Sequence, residues 1–175
     1  GADSDIGRLV YRFKREYDRD IRKFFARSLA AALSSDIGKD ISDFTVTFPP
    51  RSRDAERKYG FDQWERLASL TAEYIGAGFD AVFIRNGGTD QKKLDAAMRR
   101  ANVSDAFRLK PGAKVAGKRF ILIDDIVTTG STVEKCASLL LGAGAAEVHP
   151  ASLFRTMPKE RKEKVPPDSG LWFED

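Results

Sequence analysis

Two adjacent carboxylates, Asp124 and Asp125, stand directly after the apolar run Phe120–Ile123, and the small-residue stretch Thr128–Thr132 follows two positions later. The apolar run is short and rich in β-branched residues, the pattern of a buried strand. Beyond the stretch, Val133, Cys136, Ala137, Leu140 and Leu141 recur at helical spacing. The order is therefore strand, acid pair, loop and helix. At a helix start the first N–H groups lack intrahelical acceptors, and the helix dipole favours negative charge. Gly130 permits positive φ, so successive N–H groups can turn inward as an anion nest, and the hydroxyls of Thr128, Thr129, Ser131 and Thr132 add donors. Carboxylates do the complementary work of accepting hydrogen bonds from a sugar diol. An anion grip a few residues beyond a diol grip describes a ribose 5-phosphate.

Two simpler readings fit parts of this stretch. An acid pair at a strand end also holds Mg²⁺ in receiver domains, but there most of a domain follows, and only 50 residues follow Asp125. A strand leading into a helix capped by Thr or Ser explains the cap. It does not explain two acids beside five small residues.

The elements that must position these residues alternate along the chain. Residues 3–33 read as helical, with Leu9, Phe13, Ile21, Phe24, Phe25 and Leu29 on an apolar stripe, and Asp18 as the N-cap of a second helix where the pattern breaks. Residues 34–40 read as a connection and 43–48 as a strand. Pro49-Pro50 ends that strand, fixing φ and offering no donor, at a position where a cis bond is admissible. Cations Arg51, Arg53, Arg57 and Lys58 follow. A helix carrying Trp64, Leu67, Ala68, Leu70 and Ile75 comes next, then an apolar strand at 81–84. Residues 85–106 are long, basic and weakly apolar, which reads either as a lid over a site or as a plain exposed hairpin or helix. Phe107–Leu109, the central strand, its helix and a last strand at 147–154 complete the body. The implied architecture is α/β, a mainly parallel sheet flanked by helices. Ligands of such sheets bind beyond the carboxyl ends of the strands. That rule gathers residues 49–53, Arg85 and residues 124–132 along one edge. The expected division is a helical segment over 1–40, a core over 41–156 and a tail over 157–175.

The sequence from Arg119 to Thr132 resembles the 5-phosphoribosyl 1-pyrophosphate (PRPP) motif of type I phosphoribosyltransferases. Over residues 10–155 the chain further resembles the ComF/GntX family, competence-associated phosphoribosyltransferase-like proteins. The stretches that carry this are Pro49-Pro50-Arg51, Tyr59-Gly60-Phe61-Asp62-Gln63, Arg85 with Thr89 and Gln91, and Arg99 with Asn102-Val103. The chain departs from the family at Tyr59, where an arginine is usual, and lacks the four-cysteine zinc module that many members carry. The resemblance implies a type I phosphoribosyltransferase-like fold. It implies that Asp124 and Asp125 bind the ribose hydroxyls and touch Mg²⁺ through water. By the same resemblance Thr128, Thr129, Gly130, Ser131 and Thr132 wrap the 5′-phosphate. Pro50, Arg51 and Ser52 form the pyrophosphate loop, and Arg85, Lys92, Lys93 and Arg99 belong to a flexible loop that closes over PRPP. Thr128 stands where 6-oxopurine enzymes of this superfamily have a carboxylate, which disfavours hypoxanthine or guanine as acceptor. No residue is assigned as the catalytic acid or base, and the acceptor is unidentified.

A net charge of +4 suits a polyanionic ligand such as PRPP, while basic and acidic residues are interspersed as on an ordinary solvated surface. No run reaches the roughly 18 apolar residues of a membrane span and no signal-peptide pattern opens the chain, so the expected location is cytoplasmic. Cys136, the lone cysteine, is expected to be a small core residue, and His149, the lone histidine, a structural residue near a strand end. The expected activity is transfer of a phosphoribosyl group from PRPP–Mg to an unidentified acceptor, with a link to competence or DNA uptake. The alternative is a non-catalytic PRPP- or nucleotide-binding regulator or a nucleic-acid accessory protein. Against nucleic acid, the aromatic residues fall in core patterns rather than among exposed cations. An oligomer is compatible with either reading.

Overall fold

The computed structural model describes residues 8–9, 12–13, 18–51, 63–85, 106–127 and 130–155, apart from the side chains of 63, 125–127 and 154–155. Helix α1 spans Arg19–Ile37 and runs into a 3₁₀ turn over Gly38–Asp43. Strand β1 (Phe44–Thr47), helix α2 (Gln63–Ile75) and strand β2 (Gly78–Phe79) follow. Then come β3 (Phe83–Arg85), β4 (Phe107–Leu109), β5 (Arg119–Val127), α3 (Ser131–Gly142) and β6 (Glu147–Arg155).

Among the described residues the main sheet is parallel, in the order β2-β1-β5-β6. Strand β5 lies inside it, and alternate residues face opposite layers. Ile121 and Ile123 pack with Phe25, Leu29, Leu67 and Ala68 of α1 and α2. Phe120 and Leu122 pack with Cys136 and Leu140 of α3 and with Phe83 and Phe107. All four β5 side chains are at most 1% exposed, which is why this strand reads as an unbroken apolar run. Pro150 is tolerated in β6 because that strand forms one edge of the sheet.

Asp18 caps α1 as its position predicts. Its Oδ1 accepts from the N–H groups of Asp20 and Ile21, both at 3.0 Å, and its Oδ2 from Arg12 at 2.9 Å. The helix then outruns its expected end at residue 33. Leu33 and Ile37 continue the inward stripe at i, i+4 through the polar Ser34–Asp36. Gly38, with φ of 80°, stops it, its N–H donating to the Ser34 carbonyl. Phe24 also departs from expectation. It is 57% exposed on the outer face of α1, because Phe25 takes the inward position beside it.

The strand expected over 81–84 starts at Phe83 and does not join the parallel sheet. It pairs antiparallel with β4, Phe83 opposite Leu109 and Arg85 opposite Phe107. The sheet edge is taken instead by β2, hidden in the sequence because Gly76-Ala77-Gly78 reads as a turn. No cis peptide bond occurs among the described residues, so the turn at Pro49-Pro50 is made with trans bonds. The expected tail over 157–175 and most of the lid segment lie outside the described residues.

The Ile21 N–H, followed by the Asp20 N–H and the charges of Arg12 and Arg22, holds the Asp18 carboxylate below its ordinary value of 3.8, against partial desolvation. A folded-state pKa below the unfolded one gives a contribution complete above the unfolded value and lost as pH falls through the folded one. Asp18→Ala should therefore lower Tm at neutral pH, and the gap from the parent should close as pH falls below the ordinary carboxylate value. Thermal unfolding followed across pH checks this.

Candidate functional site

Where the parallel strands end, their following loops open a cleft of about 170 Å³, lined by Pro49, Pro50, Arg51, Trp64, Arg85, Phe107, Ile123, Asp124 and Thr132. That is below the roughly 300 Å³ at which pockets for drug-sized ligands begin, and is closer to the size of a phosphate subsite. Each lining residue arrives by a different route. Pro49, Pro50 and Arg51 follow β1, and the prolines end the ladder there because they bring no N–H. Asp124 is the first acid of β5, directly after the apolar run, and is only half-buried, the point at which the strand leaves the apolar layers.

Gly130 precedes α3 with φ of 77° and ψ of −8°, a left-handed conformation that a glycine adopts without strain. It turns the chain so that the first turn of α3, with Thr132, borders the cleft. The Gly130 carbonyl accepts the first helical bond, from the Glu134 N–H at 2.9 Å.

Of the residues expected at a sugar-phosphate site, Pro50, Arg51, Arg85, Asp124 and Thr132 line this one cleft. Gly130 and Ser131 lie at the start of α3 beside Thr132. Asp125 continues β5, its side chain outside the description. Ser52, Lys92, Lys93, Arg99, Thr128 and Thr129 lie outside the described residues. Arg85, counted with the flexible loop, ends β3 opposite Phe107, with its guanidinium carbon 5.2 Å from the centroid of that ring.

Three lining residues, Trp64, Phe107 and Ile123, were missed by sequence reasoning. Trp64 reads as part of an apolar helix stripe and Phe107 as a strand residue, and both are indeed buried. The one available signal for Trp64 was its place in the first turn of α2, just after a cation-rich stretch of sequence. His149 takes no part. It lies near the start of β6, at the opposite end of the strand from the cleft side, with Nε2 3.1 Å from an Asp36 carboxylate oxygen.

Cys136 is the core residue expected. Burial pushes its thiol up to about 12, and the Asp124 carboxylate pushes the same way, against Arg85 and Lys135. The charges of the cleft thus reach the helix below it. They leave the thiol protonated and poorly nucleophilic.

The family model of the phosphoribosyl transferase domain matches residues 66–173. The chain belongs to that family. It is 35% identical over 154 residues to the DNA utilization protein YhgH of Salmonella typhimurium, covering 85% of this chain and 66% of that protein. It is 31% identical over 150 residues to the competence protein ComFC of Streptococcus pneumoniae, covering 82% and 60%. These relatives match the ComF group that the sequence resembles, and the chain spans about half to two thirds of their length. Adenine phosphoribosyltransferase from Saccharomyces cerevisiae superposes with a TM-score of 0.54 at 16% identity, over 79% of this chain and 70% of that one. Glutamine PRPP amidotransferase from B. subtilis superposes with a TM-score of 0.53 at 22% identity, over 82% and 30%. The fold is that of the type I phosphoribosyltransferases.

Because Cys136 is enclosed and protonated, iodoacetamide at about pH 8 should leave the native chain unmodified while alkylating it readily in denaturant. Mass spectrometry of the two samples reads the difference. Fast labelling of the native chain would mean that the helix under the cleft opens.

Proposed function

We propose that the cleft binds PRPP and that the protein transfers its phosphoribosyl group to an acceptor. The observation that carries this reading is the convergence of Arg51, Arg85, Asp124 and Thr132 on one cleft at the strand ends of a phosphoribosyl transferase domain. The start of α3 receives the 5′-phosphate, Asp124 and Asp125 the ribose diol, and Arg51 and Arg85 the pyrophosphate. Breaking the bond from C1 to the pyrophosphate oxygen develops positive charge at C1 and negative charge on the leaving group. The two guanidinium groups face the second of these charges.

A Mg²⁺ ion fits this arrangement. Among the described residues no cluster of three or more metal-ligating side chains exists, and Asp124 is the carboxylate that lines the cleft. That donor set matches an ion that keeps several waters and takes its remaining ligands from phosphate oxygens, while neutralising charge on the pyrophosphate. Asp124 and Asp125 would hold it through water. No helix among the described residues is long and apolar enough to cross a membrane.

PRPP with Mg²⁺, at about a hundred times its Kd, should raise Tm by roughly 5–10 °C. Ribose 5-phosphate should raise it less. Asp124→Asn combined with Asp125→Asn should abolish the shift, and an undiminished shift removes the diol assignment. Acceptor-dependent release of pyrophosphate across a panel of bases and amines then separates transfer from binding alone.

One observation favours a second reading, in which the chain also contacts nucleic acid. Phe24 is exposed between Lys23 and Arg27, and the Arg27 guanidinium lies 5.5 Å from the centroid of the half-exposed Tyr74 ring. Exposed rings beside cations form the stacking platform of single-strand binders. The relatives' names, DNA utilization and competence proteins, point the same way. Phe24→Ala with Arg27→Ala should weaken binding to a thymidine oligonucleotide about tenfold in fluorescence anisotropy. Equal binding by parent and variant removes this surface from consideration.

A further inference from the structure

Each guanidinium group of the cleft stands against an aromatic ring. The Arg51 Cζ lies 5.6 Å from the centroid of Trp64, and the Arg85 Cζ 5.2 Å from that of Phe107. All four residues line the same cleft. Both contacts fall within the range of about 6 Å over which a cation is drawn to a ring face.

Neither ring has room to turn away. Trp64 is 4% exposed and Phe107 5%. Trp64 meets the Phe13 ring edge-on at 5.0 Å and 75°, and Phe13 in turn meets Phe25 of α1 at 5.1 Å. Phe107 is held opposite Arg85 by the register of β3 and β4. Strand partners place their side chains on one face of the ladder, so ring and guanidinium are neighbours by construction.

The consequence for an anion is specific. A planar guanidinium that spends its face on a ring keeps its N–H edge for a ligand, and its stem is no longer free to sample other rotamers. Pro49 and Pro50 supply no backbone N–H, so the Arg51 guanidinium is the charged donor on that wall of the cleft.

We propose that Trp64 and Phe107 are positioning residues that hold Arg51 and Arg85 as a preset pair of cations for the two phosphates of a diphosphate group. The proposal rests on the reading of the cleft as a PRPP site. Replacing either ring by leucine keeps an apolar filler but removes the π face, whereas Trp64→Phe and Phe107→Tyr keep a ring.

The test is calorimetric titration of the full chain, in Mg²⁺, with pyrophosphate, PRPP and ribose 5-phosphate in turn, with thermal unfolding of each ligand-free variant. Trp64→Leu and Phe107→Leu should each weaken pyrophosphate and PRPP about threefold to tenfold. Ribose 5-phosphate affinity should stay within about twofold, and the ring-retaining variants should restore the parent values. Arg51→Lys and Arg85→Lys probe the same pairs from the cation side and decide the matter if a leucine variant does not fold. A lysine cannot lay a planar group on the ring, so these should lose pyrophosphate selectively as well. Unchanged pyrophosphate affinity in the leucine and lysine variants overturns the proposal. So does a loss shared equally by pyrophosphate and ribose 5-phosphate, which a general loosening of the cleft would produce. A parent chain that binds pyrophosphate but not PRPP contradicts the PRPP reading and leaves the ring effect measurable. One that binds neither removes both.

Discussion

Burial of β5 on both faces is the constraint on which the rest of the molecule depends. Phe120–Ile123 are sealed between α1 and α2 on one side and α3 with the β3–β4 pair on the other. A carboxylate anywhere in that run would lose its hydration without a partner, a cost no helix contact repays. The first acid must therefore coincide with the place where the strand leaves its layers, and Asp124 does so. The same geometry brings the strand's onward turn, at Gly130, to the same side of the sheet. Because β1 and β5 run parallel in register, Phe44 opposite Arg119 through Thr47 opposite Leu122, the loop after β1 emerges beside Asp124. The cleft is a consequence of strand direction.

Legibility of the fold in the sequence followed the strength of local patterns. The parallel strands with continuous apolar runs, the cap at Asp18 and the helix after Gly130 each carry a local signal that tertiary packing reinforces. Both strands of the β3–β4 pair read as strands, but their pairing carries no local signal. Three residues on each strand leave no period to read, and whether Phe83 pairs with the main sheet or with Leu109 is decided by contacts distant in sequence. Helix α1 was read short because Ser34–Asp36 are polar, although on a helix surface three consecutive polar residues still leave the i, i+4 face intact.

At the candidate site the division is different. Residues whose chemistry is conspicuous, the acids, the hydroxyls and the cations, could be singled out in the sequence, and the four of them that border the cleft, Arg51, Arg85, Asp124 and Thr132, were among those singled out. Trp64 and Phe107 could not, because burial and cleft lining are the same thing for a ring with one face in the core and the other turned to a guanidinium. Composition reads such a residue as core and stops there. Phe24 failed in the opposite sense. Its spacing matched the apolar stripe, but adjacent positions on a helix point about 100° apart, and Phe25 occupied the inward one.

Preset cations bear on the choice between enzyme and sensor. On the proposed reading, guanidinium groups held by rings would attract the pyrophosphate of intact PRPP before any bond breaks, and interactions equally strong in ground and transition states lower KM without raising kcat. The Arg51–Trp64 and Arg85–Phe107 pairs are thus as useful to a protein that only senses PRPP as to one that consumes it. Turnover requires something further: groups that engage more strongly as charge moves onto the departing pyrophosphate, and a wall that keeps water from C1. Under the proposed function the described cleft, at about 170 Å³, would supply the binding half of that requirement. The cations Lys92, Lys93 and Arg99 follow Arg85 in sequence, and the proposed activity assigns them the second half. The difference between the two functions then lies in whether these lysines and this arginine alter the rate of pyrophosphate release or only its affinity, and Arg85, belonging to the hairpin strand and the cleft at once, is the residue through which either effect would be transmitted.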